Sequence, residues 1–587
     1  MAEVILFDIA FSSSLGLRSL KHALIQKGIS CEIIDLTKEI RTGYSHVRQN
    51  YYTLPNRKQA ILAAIKKLKR KKAQIEKAQF IGLPFISNSD EAITRIPIAK
   101  YLRETYPKKI HIGGGPGVTS DAKKYLREAE LDYALKGEAE KTLPQLILAI
   151  KNKDKKAISK INGIVYHRKR GIFESKTAAL LTRDEAHKLP FVYVRTDNKE
   201  AVNTYAERGC PNACAFCSVP RKGNPVSISE DTIIKGIAKL AKNKTIKEVH
   251  FVDDQLFADK ERAIRILTKL NQIGLSKRFV FVGMATVDSL LKNGQVDKEF
   301  IDLIKATNFR NIWLGTESLN NNILREIKSG RYTAPQAIKV MDYLIQKQIH
   351  TGNFMLAGGI ETRAKDFIES YYSSVNRYIK GKSYTPLGII EAMGKSPLFE
   401  KAKKERMVFS IDGKQVNPSK AKLGENQYLM PKDPLLRELF LKQVKEGRNT
   451  IGWQNLPDVV ALSKQIDGGK RGPRTMTRKL LNLQGQLHTF AEKRNRIGQH
   501  FLNELIYSEC KKRFGNVENQ SIEKLREDKT FLQLAKQNAL NHAEDYLRVN
   551  TKINQLEGME RLKAMKIARQ KFGISGFTPP HAKPIKR

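Results

Sequence analysis

Short apolar runs alternate with helical segments along the first two thirds of the chain. In residues 1–150 the apolar runs are Val4–Ile9, Cys31–Leu36, Phe80–Ile86 and Lys109–Ile112. Buried parallel strands typically appear as continuous apolar runs that helices connect. The pattern predicts an α/β fold with a doubly wound parallel sheet, whose ligands bind beyond the carboxyl ends of its strands.

The same alternation continues between residues 196 and 410. Its predicted strands are Glu248–Val252, Phe279–Met284, Asn311–Gly315 and Gly352–Leu356. One strand and one helix recur at roughly 30–40 residues, which favours a full or partial (β/α) barrel of the TIM type. Catalytic groups of such barrels lie at the carboxyl ends of the strands.

The length of 587 residues favours three or four domains. We predict a Rossmann-type α/β domain in residues 1–150 and a linker with a small β element in 151–195. A barrel core follows in 196–410, and 411–587 forms a mainly helical domain of unknown role. The helices predicted in that last domain are Leu435–Val444, Val459–Gln465, Arg478–Arg494, Ile497–Arg513 and Thr530–Arg548.

The formal net charge is +45. A positive charge of this size is typical of proteins that bind a polyanionic partner, such as nucleic acid or an anionic membrane surface. It also arises when lysines cover solvated helices, and their even spread along the chain favours that second interpretation. No apolar run reaches the length of a transmembrane segment, and residues 1–9 indicate a buried strand rather than a signal peptide. With five cysteines, three of them clustered, we expect a cytoplasmic protein.

Three of the five cysteines fall within eight residues: Cys210, Cys214 and Cys217. Thiolates this close favour zinc or an iron–sulfur cluster. Structural zinc sites and ordinary clusters take four protein ligands, whereas three thiolates leave one iron of a [4Fe–4S] cluster open. A zinc site completed by a distant histidine, or three incidental thiols, are the alternatives.

The C-x3-C-x2-C spacing, with Phe216 before the last cysteine, resembles the signature of radical S-adenosylmethionine (SAM) enzymes. The resemblance implies a cluster on these cysteines whose open iron chelates SAM, and an external one-electron donor of the flavodoxin or ferredoxin type. Further segments resemble that family in the expected order, including the closing segment Met393–Phe399. The implied SAM-binding residues are Phe216, Asp253, Asp254, Glu317, Ser318, Gly358 and Gly359.

Two of these groups have structural alternatives. Asp253 and Asp254 follow a predicted strand, where they can cap the next helix. Glu317 can be a structural carboxylate. The sequence leaves these alternatives open.

Gly113–Gly117 and the segment Leu131–Leu143 resemble the cobalamin-binding domain that precedes many radical SAM cores. The resemblance implies cobalamin contacts at Ser87, Ser89, Gly113, Gly114, Gly115, Gly137 and Glu138. The motif Asp-x-His-x-x-Gly, which supplies an axial histidine in many cobalamin proteins, is absent, and Phe7–Ser12 stands in its place. A tight turn at the glycines, or a domain that has lost the cofactor, stays an alternative.

The resemblance implies a cobalamin-dependent methyltransferase that acts on an unactivated centre of a small molecule or lipid. A radical cyclase or oxidoreductase without methyl transfer is the second hypothesis. An RNA-modifying methylthiotransferase is disfavoured, because that family carries further cysteines before the core and this chain has only Cys31 there. A non-enzymatic iron–sulfur protein that binds nucleic acid is the last.

Overall fold

The structure is a computed structural model. It describes residues 2–9, 14–42, 54–85, 89–196, 200–219, 221–379, 385–392, 396–418, 427–466, 474–515 and 519–553. They form two compact units, one of Met1–Phe367 with Leu387–Ile451 and the other of Ile368–Pro386 with Gly452–Arg587. The domain boundaries given above stay a prediction. Within the described residues, every helix is too short or too polar to cross a membrane.

A seven-stranded sheet opens the first unit. Its strands are β1 (Val4–Asp8), β2 (Cys31–Asp35), β3 (Phe80–Pro84), β4 (Ile110–Gly114), β5 (Tyr133–Leu135), β6 (Ile164–Arg168) and β7 (Gly171–Glu174). They lie in the order β2-β1-β3-β4-β5-β6-β7, with β1 to β5 parallel and β6 and β7 antiparallel. The strand order reverses between β1 and β3, where doubly wound sheets bind ligands.

Helices cover both faces of this sheet, so its predicted doubly wound fold is confirmed. On one face, Leu17 and Leu24 pack with Leu143 and Ile147. On the other, residues such as Ile98 pack against the sheet. The helices are α1 (Leu15–Gln26), α2 (Thr37–Thr42), α3 (Leu54–Arg70), α4 (Lys72–Glu76), α5 (Ser89–Thr105), α6 (Pro116–Ser120), α7 (Ala122–Glu128), α8 (Ala139–Lys151) and α9 (Lys155–Lys160).

A second, six-stranded sheet forms an open barrel. Helix α10 (Arg183–His187) comes between the two sheets in the order of the chain. The barrel strands are β8 (Tyr193–Arg195), β9 (Ala201–Thr204), β12 (Glu248–Phe251), β13 (Val280–Thr286), β16 (Phe309–Glu317) and β17 (His350–Met355). The order is β17-β16-β13-β12-β9-β8, with β9 to β17 parallel and β8 antiparallel to β9. Sequential neighbours of this kind confirm a partial (β/α) barrel.

Helices cover the outer face of the barrel and leave its inner face open. Phe281 and Phe309 stack on the outer face, and Phe257 joins them to Phe300 of a surrounding helix. The helices of this part of the chain are α11 (Glu230–Ala241), α12 (Lys260–Gln272), α13 (Leu275–Arg278), α14 (Lys298–Ala306), α15 (Asn321–Lys328), α16 (Ala334–Gln346), α17 (Ala364–Ile379) and α18 (Pro397–Lys404), and most of α17 belongs to the second unit.

Short paired strands complete the first unit. They are β10 (Glu207–Arg208), β11 (Val226–Ser227), β14 (Leu291–Lys292), β15 (Gln295–Val296), β18 (Leu387–Gly388), β19 (Val408–Ser410), β20 (Gln427–Leu429) and β21 (Thr450–Ile451). Helix α19 (Pro434–Lys445) also belongs to this unit.

The second unit is helical, as predicted. Its helices include α20 (Leu456–Ile466), α21 (Arg474–Phe514), α22 (Asn519–Glu527) and α23 (Lys529–Ile553). The predicted break between Arg494 and Ile497 is wrong, because α21 runs through it. The sequence there has no proline or capping glycine, and Gly498 instead lets the helix approach Leu540 of α23.

Candidate active site

The cysteine loop lies at the carboxyl end of β9, the first parallel strand of the barrel. Strands β10 and β11 pair antiparallel and hold together the base of the segment that carries the three cysteines. Gly209 has φ +88°, and a Cβ at this position would overlap the Cβ of Arg221. Glycine is therefore required where the chain turns into the loop.

The three thiols of the loop share one environment. Cys210 and Cys214 are buried, and Cys217 is half-buried. Burial raises the pKa of the Cys210 and Cys217 thiols, and the charge that Cys214 can carry raises both further. Cys217 acts on Cys210 in the same way. The three sulfur atoms thus lie within electrostatic reach of one another.

Protein hydrogen bonds fix the backbone of this loop. The Lys222 Nζ donates to the carbonyl oxygens of Cys214, at 2.6 Å, and of Cys217, at 3.2 Å. The Ala215 N–H donates to the Ile327 carbonyl oxygen at 3.0 Å. The loop is therefore shaped before any metal binds to it.

The three thiols fit a cluster better than a single ion. Among the described residues, no group of three His, Cys, Asp or Glu side chains converges on one metal ion. A four-iron cluster places each thiolate on a different iron, so its ligands need not converge. Cys31 and Cys510 pack in other cores, as predicted for buried thiols. Soft sulfur donors in this arrangement suit iron–sulfur chemistry.

Arg331 contacts the cysteine loop, although nothing in the sequence spacing pointed to it. Its Nη2 donates to the Cys214 Sγ at 3.4 Å, and its Nε lies 3.5 Å from Asp288 Oδ2. A cation beside a thiolate stabilises the negative charge of the sulfur. Arg331 is therefore placed to tune whatever the thiolates hold.

Asp253 is buried beneath the entry to the cysteine loop. Its Oδ1 accepts the N–H groups of Ala206, at 2.8 Å, and of Glu207, at 2.6 Å. Burial raises the pKa of Asp253 to about 7 and that of the adjacent Glu207 to about 8, and the Asp253 charge adds to the second shift. Asp253 thus positions the backbone that leads to Cys210.

Asp254 lies at the thiols themselves. It contributes a negative charge that raises the pKa of both Cys210 and Cys217. Its carboxylate accepts the Gly209 N–H, while desolvation by the surrounding protein raises its own pKa. Of the two adjacent aspartates, Asp254 is the one that faces the loop.

Glu317 ends β16 in an unusual backbone conformation. Its φ is +57°, and the ladder with β17 shifts register between Gly315 and Glu317. The Lys328 Nζ lies 3.3 Å from the Glu317 Oε1, and both side chains are buried. Burial raises the pKa of Glu317 against the opposing charges of Lys328 and Arg331. Backbone strain of this kind concentrates at functional sites.

Ser318 and Phe216 lie on either side of this ion pair. Ser318 is fully buried, and its Oγ accepts the Asn320 N–H at 3.1 Å. The Lys328 Nζ lies 5.9 Å from the centroid of the Phe216 ring. Lys328, which the sequence reasoning missed, therefore joins the cysteine loop to the end of β16.

The turn after β17 needs both of its glycines. Gly358 has φ +144°, and a Cβ there would overlap Thr362. A Cβ at Gly359 would overlap the Glu326 carboxylate, which accepts the Glu361 N–H at 2.8 Å. Phe216 packs against the core that includes Ile360 of this turn. The structure thus brings the predicted turn and the cysteine loop together.

A cavity of about 510 Å³ lies at the carboxyl ends of β1, β3 and β4. Its walls are mostly apolar and include Leu6, Leu17 and Leu143. Gly113, Gly114 and Gly115 form one side, and Gly115 has φ +103° with no room for a Cβ beside Phe85. The size and lining are those of a small-molecule or cofactor site.

The cavity reaches the inner face of the barrel. Asn203 of β9 and Val252, which follows β12, line it together with the residues of the first sheet. The loops of the two sheets are therefore close enough to serve one reaction. Neither residue was predicted, because sequence spacing does not show which faces of two sheets meet.

The other residues predicted to contact cobalamin have different surroundings. Ser87 lies outside the described residues, and Ser89 is the first residue of α5. The Gly137 N–H donates to the Thr119 Oγ1 at 2.9 Å. Glu138 binds the buried Arg221, whose Nε lies 2.7 Å from Glu138 Oε1 and whose Nη2 lies 2.5 Å from Oε2.

Arg208 adds a second contact between the two sheets. Its Nη1 lies 2.7 Å from Glu140 Oε1, and its Nη2 donates to the Tyr205 hydroxyl at 2.7 Å and to the Ser19 Oγ at 3.0 Å. With Arg221 and Glu138, these residues form a charged network between the first sheet and the cysteine loop. We call Arg208, Arg221, Glu138 and Glu140 the intersheet clasp.

Residues 207–371 match the radical SAM superfamily. The resemblance is confirmed: this segment is a radical SAM domain, and the family uses a [4Fe–4S] cluster and SAM. The chain is 23% identical over 285 residues to an anaerobic magnesium-protoporphyrin IX monomethyl ester cyclase of Synechocystis sp., covering 46% of this chain and 54% of the cyclase. The chain spans little more than half the length of the curated relatives it matches.

Two solved structures share the fold. The methyltransferase TsrM from Kitasatospora setae, with cobalamin and a [4Fe–4S] cluster bound, has a TM-score of 0.56 at 14% identity, covering 83% of this chain and 100% of TsrM. The cobalamin-dependent radical enzyme OxsB, with aqua-cobalamin and SAM bound, has a TM-score of 0.58 at 16% identity, covering 98% and 82%. The chain thus has the fold of cobalamin-binding radical SAM enzymes.

Proposed function

We propose that this radical SAM enzyme transfers a methyl group to an unactivated centre of its substrate and uses cobalamin to do so. Cys210, Cys214 and Cys217 hold the [4Fe–4S] cluster, and the glycine-walled cavity holds part of the cobalamin. The observation that carries the proposal is the continuity of that cavity with the inner face of the barrel through Asn203 and Val252.

When bound, the cluster supplies the electron that breaks the sulfonium C–S bond of SAM to give a 5′-deoxyadenosyl radical, while cobalamin supplies methyl transfer. The chain's own residues provide position and charge. Lys222 and Asp253 hold the loop backbone through hydrogen bonds to its peptide groups. Arg331 balances negative charge at Cys214. An external one-electron donor of the flavodoxin or ferredoxin type completes the system.

The SAM contacts are proposed at the edge where the cysteine loop, the end of β16 and the turn after β17 meet. We propose that the adenine contacts Phe216 and the backbone of the turn that Gly358 and Gly359 form, since Phe216 packs against the core of that turn. Asp254, Glu317 and Ser318 supply polar groups beside it. The Glu317 carboxylate is held ready by Lys328.

The cobalamin contacts are proposed at Gly113, Gly114 and Gly115. These glycines line the cavity directly. Ser89 is the first residue of α5 and remains part of the proposal, as does Ser87, which lies outside the described residues. Gly137 and Glu138 are proposed as a support, since both already bind protein groups.

The second candidate is a radical cyclase or oxidoreductase without methyl transfer. The similarity to the Synechocystis cyclase favours it. The two candidates share the cluster and SAM and differ in whether a methyl group leaves SAM. Product analysis therefore separates them.

The test uses the full chain, purified anaerobically and reconstituted with iron and sulfide. We expect a corrinoid absorption spectrum after growth with cobalamin, and S-adenosylhomocysteine together with 5′-deoxyadenosine after reduction with SAM present. Replacement of Cys210, Cys214 or Cys217 by Ala should abolish 5′-deoxyadenosine, whereas Cys31→Ala and Cys510→Ala are the matched controls. Cleavage that persists in all three loop variants contradicts the enzyme class, and absence of corrinoid contradicts methyl transfer.

A further inference from the structure

The inner face of the barrel carries two exposed aromatic rings. Trp313 on β16 exposes 43% of its surface and Phe354 on β17 exposes 45%. Their ring centroids lie 5.8 Å apart, with planes 28° from parallel. We call these two side chains the aromatic shelf. Large apolar side chains exposed together on the wall of a site mark a binding surface.

A glycine makes the shelf flat. In the strand register Trp313 lies opposite Gly352, and a Cβ at Gly352 would overlap the indole ring. The missing side chain lets the indole rest on the sheet backbone with its other face outward. The Phe354 ring has nearly the same orientation, since its plane lies 28° from that of Trp313.

The shelf lies between the two proposed cofactor positions. Phe354 pairs in register with Gly315, two residues before Glu317 and the proposed SAM edge. On the other side Trp313 pairs with Met284 of β13. Beyond it, Val252 follows the neighbouring strand β12 and lines the cavity. A molecule on the shelf is therefore beside both cofactors.

The geometry selects one kind of occupant. Exposed aromatic rings that share nearly one orientation can stack with another flat ring. An aromatic cage for a quaternary ammonium surrounds the cation from several sides, which two nearly parallel rings do not do.

We propose that the substrate is a small molecule with a flat conjugated ring, and that this ring stacks on the exposed pair Trp313 and Phe354. The inference rests on the proposed function, because it places the substrate between the cofactors of that function. It goes beyond it by naming the chemistry of the substrate and the residues that select it.

The test is anaerobic titration calorimetry on the full-length reconstituted protein without reductant. Indole-3-acetamide is the flat-ring probe, and cyclohexaneacetamide is the control with the same neutral side arm. We expect the indole to bind at least tenfold more tightly. Trp313→Leu and Phe354→Leu should each weaken its binding about tenfold, the usual scale of one lost ring stack.

Three further variants separate stacking from folding. Phe354→Tyr keeps a ring and should retain binding, whereas Gly352→Ala keeps both aromatic residues but tilts the indole and should weaken binding. Tyr507→Leu removes an exposed aromatic side chain of α21 and should change nothing. Circular dichroism confirms that each variant is folded.

Equal affinity for the two probes, or no binding of either, overturns the inference. So does undiminished binding in folded Trp313→Leu and Phe354→Leu variants. An oligoadenylate that binds in a Trp313-dependent manner overturns the assignment to a small molecule. Formation of 5′-deoxyadenosine is measured on the same preparation. Cleavage without ring binding overturns this inference alone, and ring binding without cleavage overturns the proposed function alone.

Discussion

Arg331 is the residue whose role the fold reveals most directly. Its guanidinium donates to the Cys214 sulfur at 3.4 Å and is balanced by Asp288. Hydrogen bonds and positive charge at cluster sulfurs favour the reduced, more negative state. We therefore predict a redox role for Arg331 that does not depend on binding the substrate.

We expect Arg331→Gln to lower the midpoint potential of the reconstituted cluster by several tens of millivolts, because the reduced state loses a stabilising cation. An EPR-monitored redox titration measures this value. Arg325→Gln on α15 is the matched control, since that side chain is exposed. An unchanged potential in Arg331→Gln contradicts the role assigned here.

Glu207 provides a pH-dependent prediction. Burial raises its pKa to about 8 in the folded chain, from an ordinary value of 4.5. The folded state therefore keeps a proton that the unfolded state loses above its ordinary pKa. The contribution of Glu207 to the free energy of unfolding is therefore fully present below pH 4.5. It falls as the pH rises from 4.5 towards 8, by up to about 1.4 kcal/mol per pH unit.

Glu207→Gln removes the ionisable group, so we expect the loss of melting temperature between pH 5.5 and pH 8.5 to become smaller. Thermal unfolding followed by circular dichroism at both values measures it. Glu299→Gln changes an exposed carboxylate, 91% of whose side chain is accessible, and serves as the control. An unchanged pH dependence in Glu207→Gln indicates that Asp253 alone carries the effect.

Among the structural elements, strands were easier to predict than what joins them. The four predicted strands of the first sheet and the barrel strands from β12 to β17 follow from apolar runs between helices. The continuity of helix α21 could not be predicted in this way, because the absence of a helix cap is a weaker sequence signal than a repeated apolar run. The intersheet clasp also escaped prediction, since Arg208 and Glu140 are 68 residues apart and only the fold pairs them.

The intersheet clasp leads to a prediction about the stability of the folded chain. Arg221 is 3% exposed and donates to both oxygens of Glu138 and to the Leu181 carbonyl. Removal of Arg221 leaves Glu138 with the Leu181 N–H and with Arg208 at 3.7 Å, so we expect Arg221→Met to cost about 1.5–3 kcal/mol through its lost charged hydrogen bonds. Glu138→Gln combined with Arg221→Met should recover part of this loss.

Chemical denaturation of the single and double variants measures both effects. Arg265→Met breaks an exposed pair with Glu230 and is the control, with an expected cost below about 1 kcal/mol. Equal losses in Arg221→Met and Arg265→Met would show that the clasp adds nothing beyond a surface ion pair.

At the scale of the whole molecule, residues of the two α/β sheets in the first unit line one cavity. The sequence predicted both sheets, and the family resemblance predicted their cofactors. It did not predict that Asn203 and Val252 of the barrel line the cavity of the other sheet. Such contacts depend on tertiary packing that no local pattern encodes.

Val252→Arg tests this continuity. A guanidinium in an apolar cavity wall is unfavourable without a partner, so we expect the variant to retain several-fold less corrinoid than the wild type. Absorption spectra of the anaerobically purified protein measure retention. Ile264→Arg alters an exposed aliphatic side chain of α12 and is the control. Full retention in Val252→Arg places the corrinoid elsewhere.

The hydrogen bonds of Lys222 to the Cys214 and Cys217 carbonyls have a consequence for how this protein ages. A zinc finger unfolds when its metal leaves, because the metal builds the fold. Here hydrogen bonds from Lys222 to peptide carbonyls hold the cysteine loop in shape without a metal. Oxygen that destroys the cluster should therefore leave an intact but inactive protein. Iron and sulfide should then restore the cluster of such a protein without any need to unfold and refold the chain.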